Sequence, residues 1–166
     1  MRLAARDSQQ RVGKVWGVCF GLREHSCRCH SGSHDGLIVL REAGFEQVVV
    51  TGKSGDGGID GHGVLALNAF VSFRVLFQCK RYVGSVSPSH VRDFRGAMQG
   101  RADKGLILTT GAFTAEARRE ATRDGAPPIE LVDGEKLVSL FASLELGMRP
   151  ITTYDLDDSF FDEYRR

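Results

Sequence analysis

The sequence contains no apolar run approaching the roughly 20 residues needed to cross a bilayer. Its N-terminus lacks the charged-then-apolar pattern of a secretory signal. Both absences make a cytoplasmic protein the expectation. Cysteine is scarce, at four residues, and unevenly spaced. Without a secretory signal such cysteines read as free thiols, not as a disulfide framework. Net charge is almost absent, at +1, so the total names no partner. Internal repeats are absent as well, which excludes a solenoid.

What is present is ordinary in amount and uneven in distribution. Hydrophobic residues make up 42% and charged residues 26% of 166 positions, enough for one domain with its own core. Between Arg74 and Arg123 Lys and Arg outnumber Asp and Glu. From Tyr154 onward the balance reverses, with Asp155, Asp157, Asp158, Asp162 and Glu163 against two arginines. A basic middle is compatible with a polyanionic partner, and equally with solvated helix faces.

Residues 1–33 show neither a helical nor a strand period and read as an atypical N-terminal segment without regular structure. Cys19, His25, Cys27, Cys29, His30 and His34 do not match the usual spacing of a zinc site. Residues 34–150 form the expected folded domain, and 151–166 an acidic tail. A first helix runs from Asp35, with Leu37, Ile38 and Leu40 on one face and Gly44 as its stop. Strands are expected over Phe45–Thr51, Ile59–Leu67, Val71–Tyr82, Gly105–Thr110 and Ile129–Val132. Ser87-Pro88 starts a helix whose inner face carries Val91, Phe94, Ala97 and Met98. A further helix spans Phe113–Asp124 with Thr114 as a cap. Asp133 caps the last one, which carries Leu137, Leu140, Phe141 and Leu144. Ile151–Leu156 is a candidate edge strand. Hairpin-like strands come first and strand-helix alternation follows, so the fold class is α/β, a mixed central sheet flanked by helices.

Two stretches carry the chemistry, GKSGDGGID over 52–60 and FQCKR over 77–81. Gln78 and Lys80 are two apart on a strand and share a face, whereas Cys79 points away. If the neighbouring strands form a hairpin, Asp60 joins them. A carboxylate and an amide oxygen are hard ligands suited to Mg²⁺, and a nearby lysine can orient water and stabilise a phosphoryl charge. The glycines let backbone or a phosphate approach closely. Each residue also has a plain structural role. Gly55, Gly57 and Gly58 can simply turn the chain, Asp56 can cap or bond within that turn, and Gln-x-Lys can face solvent. His62 and His90 read as surface residues. The functional alternative rests on the combination and its order.

That combination resembles a known family. SGDGGIDG, FQCKRY, VRDFRGAMQGRADKGLILTTGAFTAEA and IELVDGEKLVSLF, in this order, resemble the catalytic domain of Mrr-type restriction endonucleases. These belong to the PD-(D/E)xK nuclease superfamily, in a group with Gln in place of the acidic residue. The resemblance runs from about Leu37 to Gly147. It implies a restriction-endonuclease-like fold and Mg²⁺-dependent cleavage of double-stranded DNA, with Mn²⁺ as a substitute. It also implies type IV restriction of foreign, methylated DNA, and a homodimer. By the same resemblance Asp60 and Gln78 hold the metal, Lys80 is the catalytic lysine, and Asp56, Gly57 and Gly58 support them. Lys53, Ser54, Arg81, Arg92 and Arg95 are the candidate DNA contacts. Two departures stand out. The family's first-helix glutamate corresponds to Ser33, and the chain has no room for the family's winged-helix domain. A non-catalytic DNA-binding relative and a structure-specific nuclease therefore remain as alternatives.

Overall fold

Val75 to Gln78, in the middle of one strand, alternate their side chains between two covered faces, and this stretch fixes the layering of the molecule. The computed structural model describes residues 38–51, 58–82, 84–147 and 149. In chain order the elements are α1 (Ile38–Glu42), β1 (Phe45–Val50), β2 (Gly61–Asn68), β3 (Val71–Lys80) and β4 (Ser85–Val86). Then follow α2 (Pro88–Met98), β5 (Lys104–Thr109), β6 (Ala112–Phe113), α3 (Ala115–Ala121), β7 (Ile129–Val132) and α4 (Gly134–Ser143). The main sheet has the order β1-β2-β3-β5-β7. Pairing is antiparallel from β1 to β3 and parallel from β3 to β7. This is the mixed sheet expected from the element order.

The odd residues Val75 and Phe77 join Leu106, Leu108 and Val132 under α1 and α4, against Val39, Leu40, Leu137 and Phe141. The even residue Leu76 joins Ile107, Ile129 and Leu131 under α2 and α3, against Val91, Phe94, Met98, Ala117 and Ala121. Gly105 is where α2 comes closest to the sheet. A Cβ there would lie 2.7 Å from Phe94 Cε1 and 2.8 Å from Met98 Sδ.

Several boundaries differ from the sequence expectation, each for a local reason. The first helix buries Val39 and Leu40; Asp35 and Leu37 lie outside the described residues. Gln47 takes φ +49 and the β1–β2 register shifts between Glu46 and Val49, an irregularity that no turn-forming residue signals. β3 ends at Lys80, not Tyr82, because the Tyr82 N–H is taken by Thr110 Oγ1 at 3.0 Å. Phe113 is a strand residue, not helical: β4 and β6 form a small parallel sheet that the sequence did not reveal. Thr114, with extended backbone, caps α3 by accepting the Ala117 N–H at 3.1 Å. Ser87 precedes Pro88 at the start of α2 as expected, but its hydroxyl bonds His90 Nδ1 and Ser89 Oγ instead of capping the helix. The candidate strand at Ile151–Leu156 lies outside the described residues.

Asp133 caps α4 as its sequence position implied, accepting the Lys136 N–H at 3.0 Å while Arg118 Nη2 donates to it at 2.8 Å. Burial pushes its carboxyl up, but these two partners outweigh burial and hold it below the usual aspartate range. A carboxyl lowered in the folded state stabilises above its unfolded pKa of about 3.9 and stops doing so as pH falls through its lower folded value. Asp133→Ala is expected to cost about 1 kcal/mol at neutral pH. The gap from the parent protein should close on acidification below about pH 3.9. Urea midpoints across that range check it; a gap that persists unchanged in strong acid contradicts the assignment.

Candidate active site

β2 and β3 pair as the hairpin that the chemistry requires, with Gly61 opposite Phe77 and His62 opposite Leu76. Asp60 precedes β2 and is fixed to both neighbouring strands through its backbone. Its N–H donates to Phe77 O at 3.0 Å, and its carbonyl accepts the Thr51 N–H at 2.9 Å. Its carboxylate Oδ2 accepts the Cys79 N–H at 2.6 Å. The backbone of the residue between Gln78 and Lys80 therefore holds the Asp60 side chain, while the Cys79 side chain packs against the core under α1 and α4.

Gln78 is 5% exposed, a rare burial for an amide. Its Nε2 donates to Gly58 O, and its Oε1 is buried without a hydrogen-bond partner. That burial excludes solvent-facing placement, the plain alternative for this residue, and an unpaired buried acceptor costs about 1–3 kcal/mol. Gly58 has φ +80, and a Cβ there would overlap Gln78 Nε2. The close approach that this glycine permits is thus made by the glutamine side chain. Lys80, half-buried, ends β3 in register with Thr109 of β5, and its carbonyl accepts the Thr110 N–H at 3.3 Å. Alternation along β3 places Lys80 on the same face as Gln78.

Gln78 and Lys80 are therefore on β3, and Asp60 and Gly58 on the segment that leads into its hairpin partner β2. Lys53, Ser54, Asp56 and Gly57 lie outside the described residues. Among the described residues no three His, Cys, Asp or Glu side chains gather into a metal-binding group. A cation here would be held by a carboxylate, an amide oxygen and water, the donor set of a hard ion. The unpaired Gln78 Oε1 fits such an ion, because it is a desolvated oxygen acceptor on the residue next to the one whose N–H holds the Asp60 carboxylate.

The arginines separate into two kinds. Arg81 is exposed directly after Lys80. Arg92 is exposed and stands 3.7 Å from Glu120. Arg95, expected among the DNA contacts, is turned inward instead. It donates to Pro127 O, to Glu120 O and, at 3.2 Å, to Ala121 O, and pairs with the Glu120 carboxylate at 3.6 Å. It ties α2 to the C-terminal end of α3, where the last helix carbonyls have spare acceptor capacity. Periodicity hides this. Arg95 follows Arg92 by three residues on one helix, so the two share a face and read alike; only the packing of α3 tells them apart. Arg95→Ala is expected to lower stability by about 2–3 kcal/mol and to leave DNA affinity unchanged. Urea midpoints beside DNA titrations check this, and a DNA-binding defect at full stability contradicts it. His90 is also not a free surface residue: it is half-buried, with Nδ1 2.9 Å from Ser87 Oγ and Nε2 3.3 Å from Tyr82 OH.

Comparison with known proteins now decides the family. The Mrr_cat model, described as a restriction endonuclease, matches residues 36–141. This chain belongs to the Mrr-type restriction endonuclease family. It is 38% identical over 136 residues to the type IV methyl-directed restriction enzyme EcoKMrr of Escherichia coli strain K12. That match covers 76% of this chain and 42% of the enzyme, so the chain spans less than half the length of this Mrr relative. The DNA modification-dependent restriction endonuclease AspBHI is similar in structure, with a TM-score of 0.58 at 19% identity over 84% of this chain and 36% of that one. This likeness establishes the restriction-endonuclease-like fold. MspJI restriction endonuclease, solved with a 27-mer oligonucleotide, aligns at a TM-score of 0.49 and 32% identity over 61% of this chain and 24% of that one. Among the described residues no helix of this Mrr-type chain is long and apolar enough to cross a membrane.

Proposed function

We propose that this Mrr-type chain is a Mg²⁺-dependent endonuclease that hydrolyses phosphodiester bonds in double-stranded DNA, with methylated DNA as its substrate class. The observation that carries this is the buried Gln78 amide, its oxygen unpaired, on the same hairpin as a carboxylate and a lysine. Asp60 and Gln78 would hold the cation. When bound, Mg²⁺ supplies charge neutralisation at the phosphoryl group and makes a coordinated water more acidic.

The chain's own residues supply the rest. Asp60 is kept in one orientation by the Cys79 N–H, so it does not have to be ordered when substrate arrives. Gln78 cannot be protonated and accepts at any working pH. It also brings no charge, so Asp60 and Lys80 balance each other at this hairpin, and the cation is held by less negative charge than two carboxylates would give. Lys80 presents an ammonium to the phosphate, where negative charge grows in the transition state. Arg81 and Arg92 offer exposed charge to the DNA backbone, and such contacts weaken with salt. Methyl direction is carried over from EcoKMrr. Cutting both strands in one event requires two sites, which a homodimer supplies.

The test is cleavage of methylated and unmethylated plasmid by purified protein, with Mg²⁺ or Mn²⁺ and with EDTA. Metal-dependent nicking that favours the methylated plasmid is expected. Folded protein that binds DNA in a salt-dependent way but never cuts it would overturn the enzymatic assignment.

A further inference from the structure

Among the described residues, the buried side-chain atoms without a hydrogen-bond partner are Thr51 Oγ1, Gln78 Oε1, Arg95 Nε and Glu120 Oε1. The last two face each other as an ion pair at 3.6 Å, which accounts for them. The first two flank Asp60. The β1–β2 register pairs Val50 with Gly61 and continues one step further, with the Thr51 N–H donating to Asp60 O at 2.9 Å. Val50, Gly61 and Phe77 stand opposite one another across three strands, so alternation puts Thr51 and Gln78, each one residue further on, together on the other face of the sheet. On the other side of Asp60, its carboxylate is bonded to the backbone next to Gln78.

A purely structural Thr51 makes poor sense here. Valine has the same shape and a strong strand preference, and it carries no hydroxyl to bury. An unsatisfied buried hydroxyl costs about 1–3 kcal/mol. The cost is offset if the hydroxyl gains a partner when the site is loaded. Mg²⁺ keeps several waters even when carboxylates bind it, and those waters are strong donors that need acceptors around them. With only one carboxylate and a neutral amide to hold the ion, orientation of its waters matters more.

We infer that Thr51 is a further residue of the cation site, its Oγ1 accepting a hydrogen bond from a water of the ion while Asp60 and Gln78 provide direct oxygen ligands. This rests on the cation assignment proposed above. Thr51 is a positioning residue, since it acts on the ion through water and does not touch the phosphate.

The experiment is calorimetric titration of Mn²⁺ into the full chain without DNA, for the parent protein and for Thr51→Val, Thr51→Ser and Asp60→Ala. Circular dichroism melting confirms that each is folded. Thr51→Val should bind Mn²⁺ about 10-fold more weakly, the lower end of the effect of such outer partners. Thr51→Ser, which keeps the hydroxyl, should stay close to the parent, and Asp60→Ala should lose binding. Thr51→Val binding as tightly as the parent, with Asp60→Ala defective, overturns the role of Thr51 and leaves the cation site standing. Thr51→Ser as weak as Thr51→Val overturns it too, because the methyl and not the hydroxyl would then matter. A parent protein that takes up no Mn²⁺ overturns the cation assignment and this inference together. If Thr51→Val does not fold, Thr51→Ser against Thr51→Ala makes the same comparison.

Discussion

Lys80→Ala is expected to reduce metal-dependent plasmid cleavage by at least about 10²-fold, the loss typical of removing one group that stabilises transition-state charge. The substitution is clean for structural reasons. The Lys80 backbone is held by its pairing with Thr109 and by the Thr110 N–H on its carbonyl. Among the described residues its ammonium has no ion-pair or hydrogen-bond partner, so truncation removes charge and little else. Stability should change by less than about 1 kcal/mol, and DNA binding by no more than one lost charge would cause. Lys80→Arg should restore binding but not the full rate, because a planar fork does not replace a compact ammonium. Cleavage time courses beside melting curves decide it. A folded Lys80→Ala protein that cuts at the parental rate removes Lys80 from the mechanism.

Phe94→Ala should have the largest effect on stability, a loss of about 3–5 kcal/mol. Its side chain is 0% exposed and sits in the core with Val91, Met98, Ile107 and Leu76. No nearby side chain is positioned to refill the space, because α2 approaches the sheet there over Gly105, whose missing Cβ is what admits the ring. Gly105 stands opposite Leu76, two residues before Gln78 on the same face of β3, so loosening this seam loosens the strand that carries the amide. Cleavage should therefore fall along with the urea midpoint. A midpoint shift worth under about 1 kcal/mol would mean that the seam between α2 and the sheet repacks, contrary to the close-packed contact described.

Much of this architecture was legible because local physics and tertiary structure agree. The Ser87-Pro88 start of α2, the Thr114 and Asp133 caps, and the β7 strand all use residues whose own conformational preferences match their final geometry. Gln78 and Lys80 could be placed on one face from strand period alone, and the expected hairpin put Asp60 on the neighbouring segment. What failed had no local signature. The bulge at Gln47 uses a residue that does not favour positive φ. The β4–β6 pair is two residues long on each side and forms only because the chain segments after β3 and β5 exit side by side. Arg95 looked like its exposed neighbour Arg92 until α3 was docked against it.

The sequence by itself therefore determined the family and the main helices and strands, and named the carboxylate, amide and lysine as candidates, because those depend on residue type and short-range period. Only the tertiary structure decided their states. It buried Gln78 and left its oxygen unpaired, gave the space of Gly58 to that amide, turned Arg95 inward, and set Thr51 opposite Asp60. The reason is physical: burial, register and an unsatisfied hydrogen bond are properties of groups far apart in the chain, and they exist only once the strands have paired and the helices have closed over them.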